Sequence, residues 1–181
     1  SFYNQSSDEG PVFPTPTIGM MGILPSKKNR MTLDFKNAGD SLFLIGESRN
    51  DINSSEYLYS FHKVKLSPAP FFDMDTEVKV QNLVKQLIRT NLVQSAHDCS
   101  DGGLFITLCE SGMPRNLGFS IETDFDVRAD AFLFGEAQSR VLVSVKEDQL
   151  DGFLDLVNKS EVEWANLGLV TDGEISIDEQ S

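Results

Sequence analysis

Apolar and polar positions change period several times along this chain. Val80, Leu83, Val84, Leu87 and Ile88 recur at i, i+3, i+4, i+7 and i+8, one apolar stripe that predicts a helix opened by Asp73 or Asp75. Leu150, Phe153, Leu154 and Val157 predict a second amphipathic helix, led in by Lys146-Glu147-Asp148. The apolar stretch at residues 104–109 predicts a third, ended by Gly112 and Pro114. Met31-Thr32-Leu33-Asp34-Phe35 alternates with period two and predicts a half-buried strand. Residues 42–46 are a continuous apolar run of buried-strand length, Phe119 with Ile121 predicts another strand, and residues 141–145 predict a stronger one. Two late strands, around residues 167–170 and 174–177, flank a Thr171-Asp172-Gly173 turn. Strands interleaved with helices indicate an α/β layer domain.

The first thirty residues follow no such pattern. Pro11, Pro14 and Pro16 remove backbone donors and forbid a helix there. Residues 18–24 form an apolar patch that predicts a short strand or extended segment, and Lys27, Lys28 and Arg30 a basic turn. The chain therefore divides into an extended arm, residues 1–30, and a domain, residues 31–181.

Charge narrows the function classes. The 181 residues carry 28 acidic and 15 basic side chains, so 15 − 28 gives −13. That balance argues against a nucleic-acid surface, which needs net positive charge, but leaves room for a local anion site made of backbone N–H groups. At 40% hydrophobic the chain has ample material for a core. No run of about 18 apolar residues predicts a membrane span. Cys99 and Cys109 form no disulfide framework, and a cytoplasmic setting is expected. The chain opens Ser1-Phe2-Tyr3-Asn4 without an initiator Met, which reads as a cut through a larger protein.

Three places offer chemistry. In Ser100-Asp101-Gly102-Gly103, two glycines opening a helix let backbone N–H groups approach an anion. The other reading has Asp101 capping the helix while the glycines supply a turn. His97-Asp98 sets a proton carrier beside a carboxylate, but two His in the chain make neither a triad nor a metal cluster. Glu136-Ala137-Gln138-Ser139-Arg140 gathers polar groups ahead of a buried strand, where Glu136 and Gln138 project to one side and hydrogen-bond a substrate, or where a solvated Arg–Glu pair sits. Asp124, Asp126 and Asp130, and Asp172, Glu174, Asp178 and Glu179, lack a calcium-loop pattern and read as solvated surface. Trp164, Phe71 and Phe72 read as packing residues.

Four stretches in this order go further. They are Ser1-Phe2-Tyr3-Asn4 with Pro14-Thr15-Pro16-Thr17-Ile18-Gly19-Met20, the segment 31–46, Ala96-His97-Asp98-Cys99-Ser100-Asp101-Gly102-Gly103-Leu104, and Phe134-Gly135-Glu136-Ala137-Gln138-Ser139-Arg140-Val141. Together they resemble the last part of the catalytic subunit of the phosphoribosylformylglycinamidine synthase family, with its A-H-D-V-S-D-G-G-L and F-G-E-S-Q-S-R-V motifs. The resemblance implies an α/β (α+β) mixed-sheet layer domain of the AIR synthase C-terminal type over residues 31–181. Residues 1–30 would end a preceding β-rich AIR synthase N-terminal-like domain and its linker.

The family reaction is a C–N ligation of de novo purine biosynthesis. Formylglycinamide ribonucleotide, ATP and glutamine-derived ammonia give formylglycinamidine ribonucleotide, ADP and phosphate. The resemblance thus implies ATP and magnesium as cofactors of the whole enzyme. Its implied partners are the remaining domains of the same synthase, a glutaminase domain or subunit, and the small-molecule ribonucleotide. Ser1 matches a substrate-contacting Ser of the family. Asp101, Gly102, Gly103, Glu136 and Gln138 match an auxiliary nucleotide or substrate site in the pseudo-symmetric twin of the family's substrate loop. No catalytic residue and no metal ligand falls within the chain, so the fragment alone is expected to be inactive. Asn53-Ser54-Ser55-Glu56-Tyr57 stands where family members often show Gly-Gly-Ser-Glu-Tyr. The alternative is a nucleotide-binding or assembly module of the related hydrogenase-maturation, thiamine-monophosphate kinase or selenophosphate synthetase type. A generic acidic interaction domain explains the charge but not the ordered motifs.

Overall fold

The computed structural model describes residues 17–124 and 126–179 and the backbone of residues 5, 6, 10 and 11. Ser1 and residues 12–16, which include Pro14 and Pro16, lie outside the described residues. The chain forms two compact units, Ser1–Arg30 and Met31–Ser181. In the first, β1 (Gln5–Ser6) pairs antiparallel with β2 (Gly10–Pro11). A 3-10 turn follows at Lys27–Asn29, opened by Ser26, whose Oγ accepts the Lys28 N–H at 3.2 Å. Residues 18–24 make no strand, and Ile18, Met20, Met21 and Ile23 are exposed.

The second unit is built on one six-stranded sheet. Its strands are β3 (Ser41–Ile45), β4 (Ser95–Asp98), β5 (Gly118–Ile121), β6 (Val141–Val145), β7 (Trp164–Thr171) and β8 (Ile175–Ile177). They lie in the order β4-β6-β3-β7-β5-β8. All pairs are antiparallel except β5 with β8. Four helices, α1 (Met74–Arg89), α2 (Gly103–Gly112), α3 (Ala129–Phe134) and α4 (Leu150–Asn158), cover both faces.

Strand alternation assigns each face. Leu42 and Leu44 of β3 pack with Leu104 and Leu108 of α2 and Phe132 of α3. Phe43 and Ile45 point the other way, onto Val80, Leu83 and Leu87 of α1 and Phe153 and Val157 of α4. A strand buried on both faces is apolar at nearly every position, as residues 42–45 of β3 and all of β6 but Ser144 are; the buried Ser144 hydroxyl lies 2.6 Å from Ser95 Oγ. Phe43 carries much of the second layer, with its ring centroid 4.5 Å from Phe153 and 5.8 Å from Trp164. Each such side chain, fully buried, contributes about 1.5–3 kcal/mol. Helix α1 is opened by Asp73, whose Oδ1 accepts the Thr76 N–H at 2.8 Å, and it buries the predicted stripe. Among the described residues no helix is long and apolar enough to cross a membrane.

Several elements differ from the sequence expectation. Residues 31–35 are not a strand. Thr32 O accepts one bond from Ala96 at the β4 edge, but the Phe35 N–H turns to Ser111 O of α2 at 2.8 Å. Lys36 Nζ donates to Thr32 Oγ1 at 2.7 Å and pairs with Asp34 at 2.9 Å, while Arg115 Nε donates to Asp34 Oδ2 at 2.7 Å. Ion pairs and α2 therefore hold this segment, and no ladder forms. Strand β4 and helix α3 are additions that the pattern does not predict. Glu147–Gln149 is a 3-10 turn leading into α4, with no side-chain cap. Trp164 is half-buried, but Phe71 and Phe72 stay exposed, and the Arg49 guanidinium lies 4.1 Å from the Phe71 ring centroid.

Candidate functional site

The motif residues meet where β4 ends, α2 begins and the chain leaves α3 for β6. Cys99 N–H donates to Arg140 O at 2.9 Å, which fastens the start of the Ser100-Asp101-Gly102-Gly103 turn to the foot of β6. Ser100 Oγ then donates to Asp98 Oδ2 at 2.6 Å, and Gly103 N–H to Ser100 O at 3.0 Å. The N-cap of α2 is Gly102, with φ +84° and no capping side chain of its own. Asp101 is exposed and does not cap. The cap comes from elsewhere: Gly102 N–H donates to Glu136 Oε1 at 2.8 Å.

The same oxygen of Glu136 accepts the Glu56 N–H at 2.7 Å. One carboxylate thus joins three segments, at the start of α2, in the 135–140 loop and at the head of a π-helical turn, Tyr57–Phe61. Hydrogen bonds to an ionised acceptor are the strong ones, and a negative charge at a helix N-terminus is favoured by the dipole. Aromatic stacking runs alongside. The Tyr57 ring lies 4.8 Å from Phe134 at 9° between planes, and Phe134 meets Phe105 of α2 edge-on at 5.7 Å.

Gly103 has φ +69°, and a Cβ built on it would lie 2.7 Å from Gly135 O and 2.8 Å from Leu133 O. The missing side chain lets the start of α2 sit directly on the carbonyls that end α3. Arg140 completes the corner. It is 2% exposed, and its guanidinium donates to Phe132 O at 3.3 Å and to Gly135 O, with Nε left unpartnered. Among the described residues it forms no ion pair, so the solvated Arg140–Glu136 pair read from the sequence is corrected. Burial pushes the Cys99 thiol up, against the opposing pull of the Arg140 charge.

Gln138 is exposed, and its neighbour Ser139, at φ +63°, donates from Oγ to Glu77 Oε2 of α1 at 2.5 Å. His97 belongs to packing. Ser111 Oγ spends its proton on Thr107 O at 2.8 Å, so it accepts from His97 Nδ1 at 3.1 Å, and Nε2 faces Glu110 at 3.4 Å. The structure thus brings Gly102, Gly103 and Glu136 together, keeps Asp101 and Gln138 at the surface and leaves Ser1 undescribed. Sequence reasoning missed Glu56 and the buried role of Arg140; an Arg immediately before a fully buried strand was the available signal. Among the described residues no group of three or more His, Cys, Asp or Glu is arranged to hold a metal ion.

Residues 37–178 match the family model for AIR synthase related protein, C-terminal domain. The chain is 40% identical over 168 residues to phosphoribosylformylglycinamidine synthase subunit PurL of Moorella thermoacetica, covering 93% of this chain and 23% of that protein. It is 36% identical over 177 residues to the Alkaliphilus metalliredigens subunit of the same name, covering 98% and 24%. The chain thus spans about a quarter of the length of these relatives. The solved structure of T. maritima PurL complexed with FGAR shares the fold, with a TM-score of 0.73 at 15% identity over 85% of this chain and 28% of that one.

Proposed function

We propose a function from one premise: the chain belongs to the AIR synthase related family, whose C-terminal domain it carries over residues 37–178. It is the C-terminal part of a phosphoribosylformylglycinamidine synthase. That enzyme is an ATP-dependent C–N ligase of purine biosynthesis working in the cytoplasm with a glutaminase domain or subunit. One observation carries this reading, the 40% identity to a PurL subunit across 93% of the chain. The same identity favours the synthase over the kinase-type and maturation-type relatives. Residues 1–30 end the preceding β-rich domain, and Ser1 contacts the ribonucleotide. In the 31–181 domain, Glu136, Gly102 and Gly103 shape the corner, while the exposed Asp101 and Gln138 are the side chains free to meet a ligand held against a neighbouring domain.

The described residues do not fit a magnesium nucleotide of their own. The α2 N-terminus already holds a carboxylate, and no metal-ligand cluster exists among the described residues. The domain's own contribution is a rigid wall for a cleft completed elsewhere in the protein. The test is amidine formation from formylglycinamide ribonucleotide, ATP and ammonia, measured for the 181-residue chain beside the full-length protein. Turnover is expected only with the full-length protein; turnover by the 181-residue chain overturns the reading.

A further inference from the structure

We infer that Glu136 is a carboxylate latch: it fills the anion position at the start of α2 from within the chain and ties the 52–57 loop to that helix, so the Gly102-Gly103 corner takes no nucleotide phosphate. The inference stands on the fold and does not rest on the synthase reading.

The corner gathers positive potential from three sources. Helix α2 is ten residues long and starts at the corner. The Gly102 and Glu56 N–H groups converge on one point from 34 and 80 positions away in the chain. The buried Arg140 guanidinium binds the Gly135 carbonyl that touches Gly103, and its Nε has no partner. One carboxylate answers the two N–H groups, with Oε1 at 2.8 Å and 2.7 Å from their nitrogens. A phosphate entering the corner must displace this group, which is tethered and so present at an effective concentration of order millimolar or above. It must also approach the Leu133 and Gly135 carbonyls, which face Gly103 and repel an anion. The latch carries mechanical consequence as well, because the loop it holds leads directly into Tyr57 and its stack on Phe134.

Amide hydrogen exchange by NMR on the 181-residue chain tests this, with wild type, Glu136→Ala and Glu136→Gln. Inorganic phosphate and acetate are the probes, and chloride at equal ionic strength is the control. In Glu136→Ala the Glu56 and Gly102 amides should exchange together about tenfold faster or more, the factor expected for losing a bond to a charged acceptor. Amides of β3 and β6 should not change. Acetate or phosphate should slow the two amides again in this variant and leave wild type unaffected. Unchanged exchange at Glu56 and Gly102, failure of both anions to restore protection, or saturable phosphate binding at wild-type Gly102 would each overturn the latch. Where Glu136→Ala does not fold, Glu136→Gln decides: it keeps the shape and loses the charge, so a smaller joint acceleration is expected, and wild-type rates at both amides overturn the proposal.

Discussion

Gly103→Ala tests the contact on which the corner is built. The new methyl would occupy a left-handed backbone position, which costs an L-residue about 1–2 kcal/mol. It would also lie 2.7 Å from Gly135 O and 2.8 Å from both Leu133 O and the Phe134 carbonyl carbon. These are main-chain atoms at the end of α3, and they cannot swing aside as a side-chain tip would. Arg140 holds one of these, the Gly135 carbonyl, and the Phe132 carbonyl beside them. Overpacking of this kind adds about 1–3 kcal/mol, so the total is about 2–5 kcal/mol.

Gly39→Ala separates the two contributions. Gly39 has φ +90° and nothing within 4 Å of a built Cβ, so only the backbone cost remains. For a unit of about 150 residues, each kcal/mol lowers Tm by about 2–4 °C. Thermal unfolding followed by circular dichroism should therefore show a loss of about 2–8 °C for Gly39→Ala, and about 4–20 °C for Gly103→Ala. Urea unfolding of both variants should keep the wild-type m-value, which identifies the change as native-state strain. Equal losses in the two variants would refute the close approach of α2 to α3.

Two carboxylates should respond to pH with opposite sign. Bonds from Thr32 and then Lys36, with Arg115, hold the Asp34 carboxyl well below the usual carboxylate range. Its stabilisation is present above the unfolded value near about 4 and is lost as pH falls below it. Asp34→Asn should cost about 1.5–3 kcal/mol at pH 7, with the Tm gap to wild type narrowing in acid; a gap that is constant from pH 7 to pH 2 refutes the pairing. Burial pushes the Asp40 carboxyl up, with the Asn37 backbone opposing. Its ionised form is disfavoured in the fold, so Asp40→Asn should raise Tm at pH 7 and lose that advantage as wild-type Asp40 becomes protonated in acid. A lower Tm for Asp40→Asn at pH 7 would show that its bond to Asn37 outweighs desolvation.

Helix α1, strands β3 and β6, and the α/β layer class were legible because burial repeats over many residues. Elements held by a few specific bonds were not. Residues 31–35 alternate like a strand, yet Met31 and Phe35 belong to opposite cores and the Phe35 N–H is spent on Ser111 O. Strand β4 is four residues of mixed polarity, and α3 is six residues without a capping side chain, so neither has room for a period. The site divides in the same way. A glycine pair opening a helix was visible, and both its anion-binding and its structural readings were in view. Nothing in the sequence pointed to Glu136, because that carboxylate lies 34 positions from Gly102 and its second donor 80 positions from Glu136.

The 52–57 loop holds a left-handed position without glycine. Ser54 has φ +51° in a stretch where family members often carry two glycines. A left-handed backbone at a non-glycine residue costs about 1–2 kcal/mol. Three contacts offset it: Ser54 N–H donates to Ser67 Oγ at 2.7 Å, Ser54 Oγ to Pro68 O at 2.8 Å, and Asn53 N–H to Asp51 Oδ1 at 3.0 Å. Had the loop's task been close approach of bare backbone to a ligand, side chains at positions 53 and 54 would obstruct it. The Ser54 hydroxyl and the Asn53 and Ser54 N–H groups are instead bonded within the chain, on the path that delivers the Glu56 N–H to Glu136. In this domain, the motif positions around α2 therefore specify where main chains meet, and the chemistry of the corner is satisfied by the chain's own carboxylate.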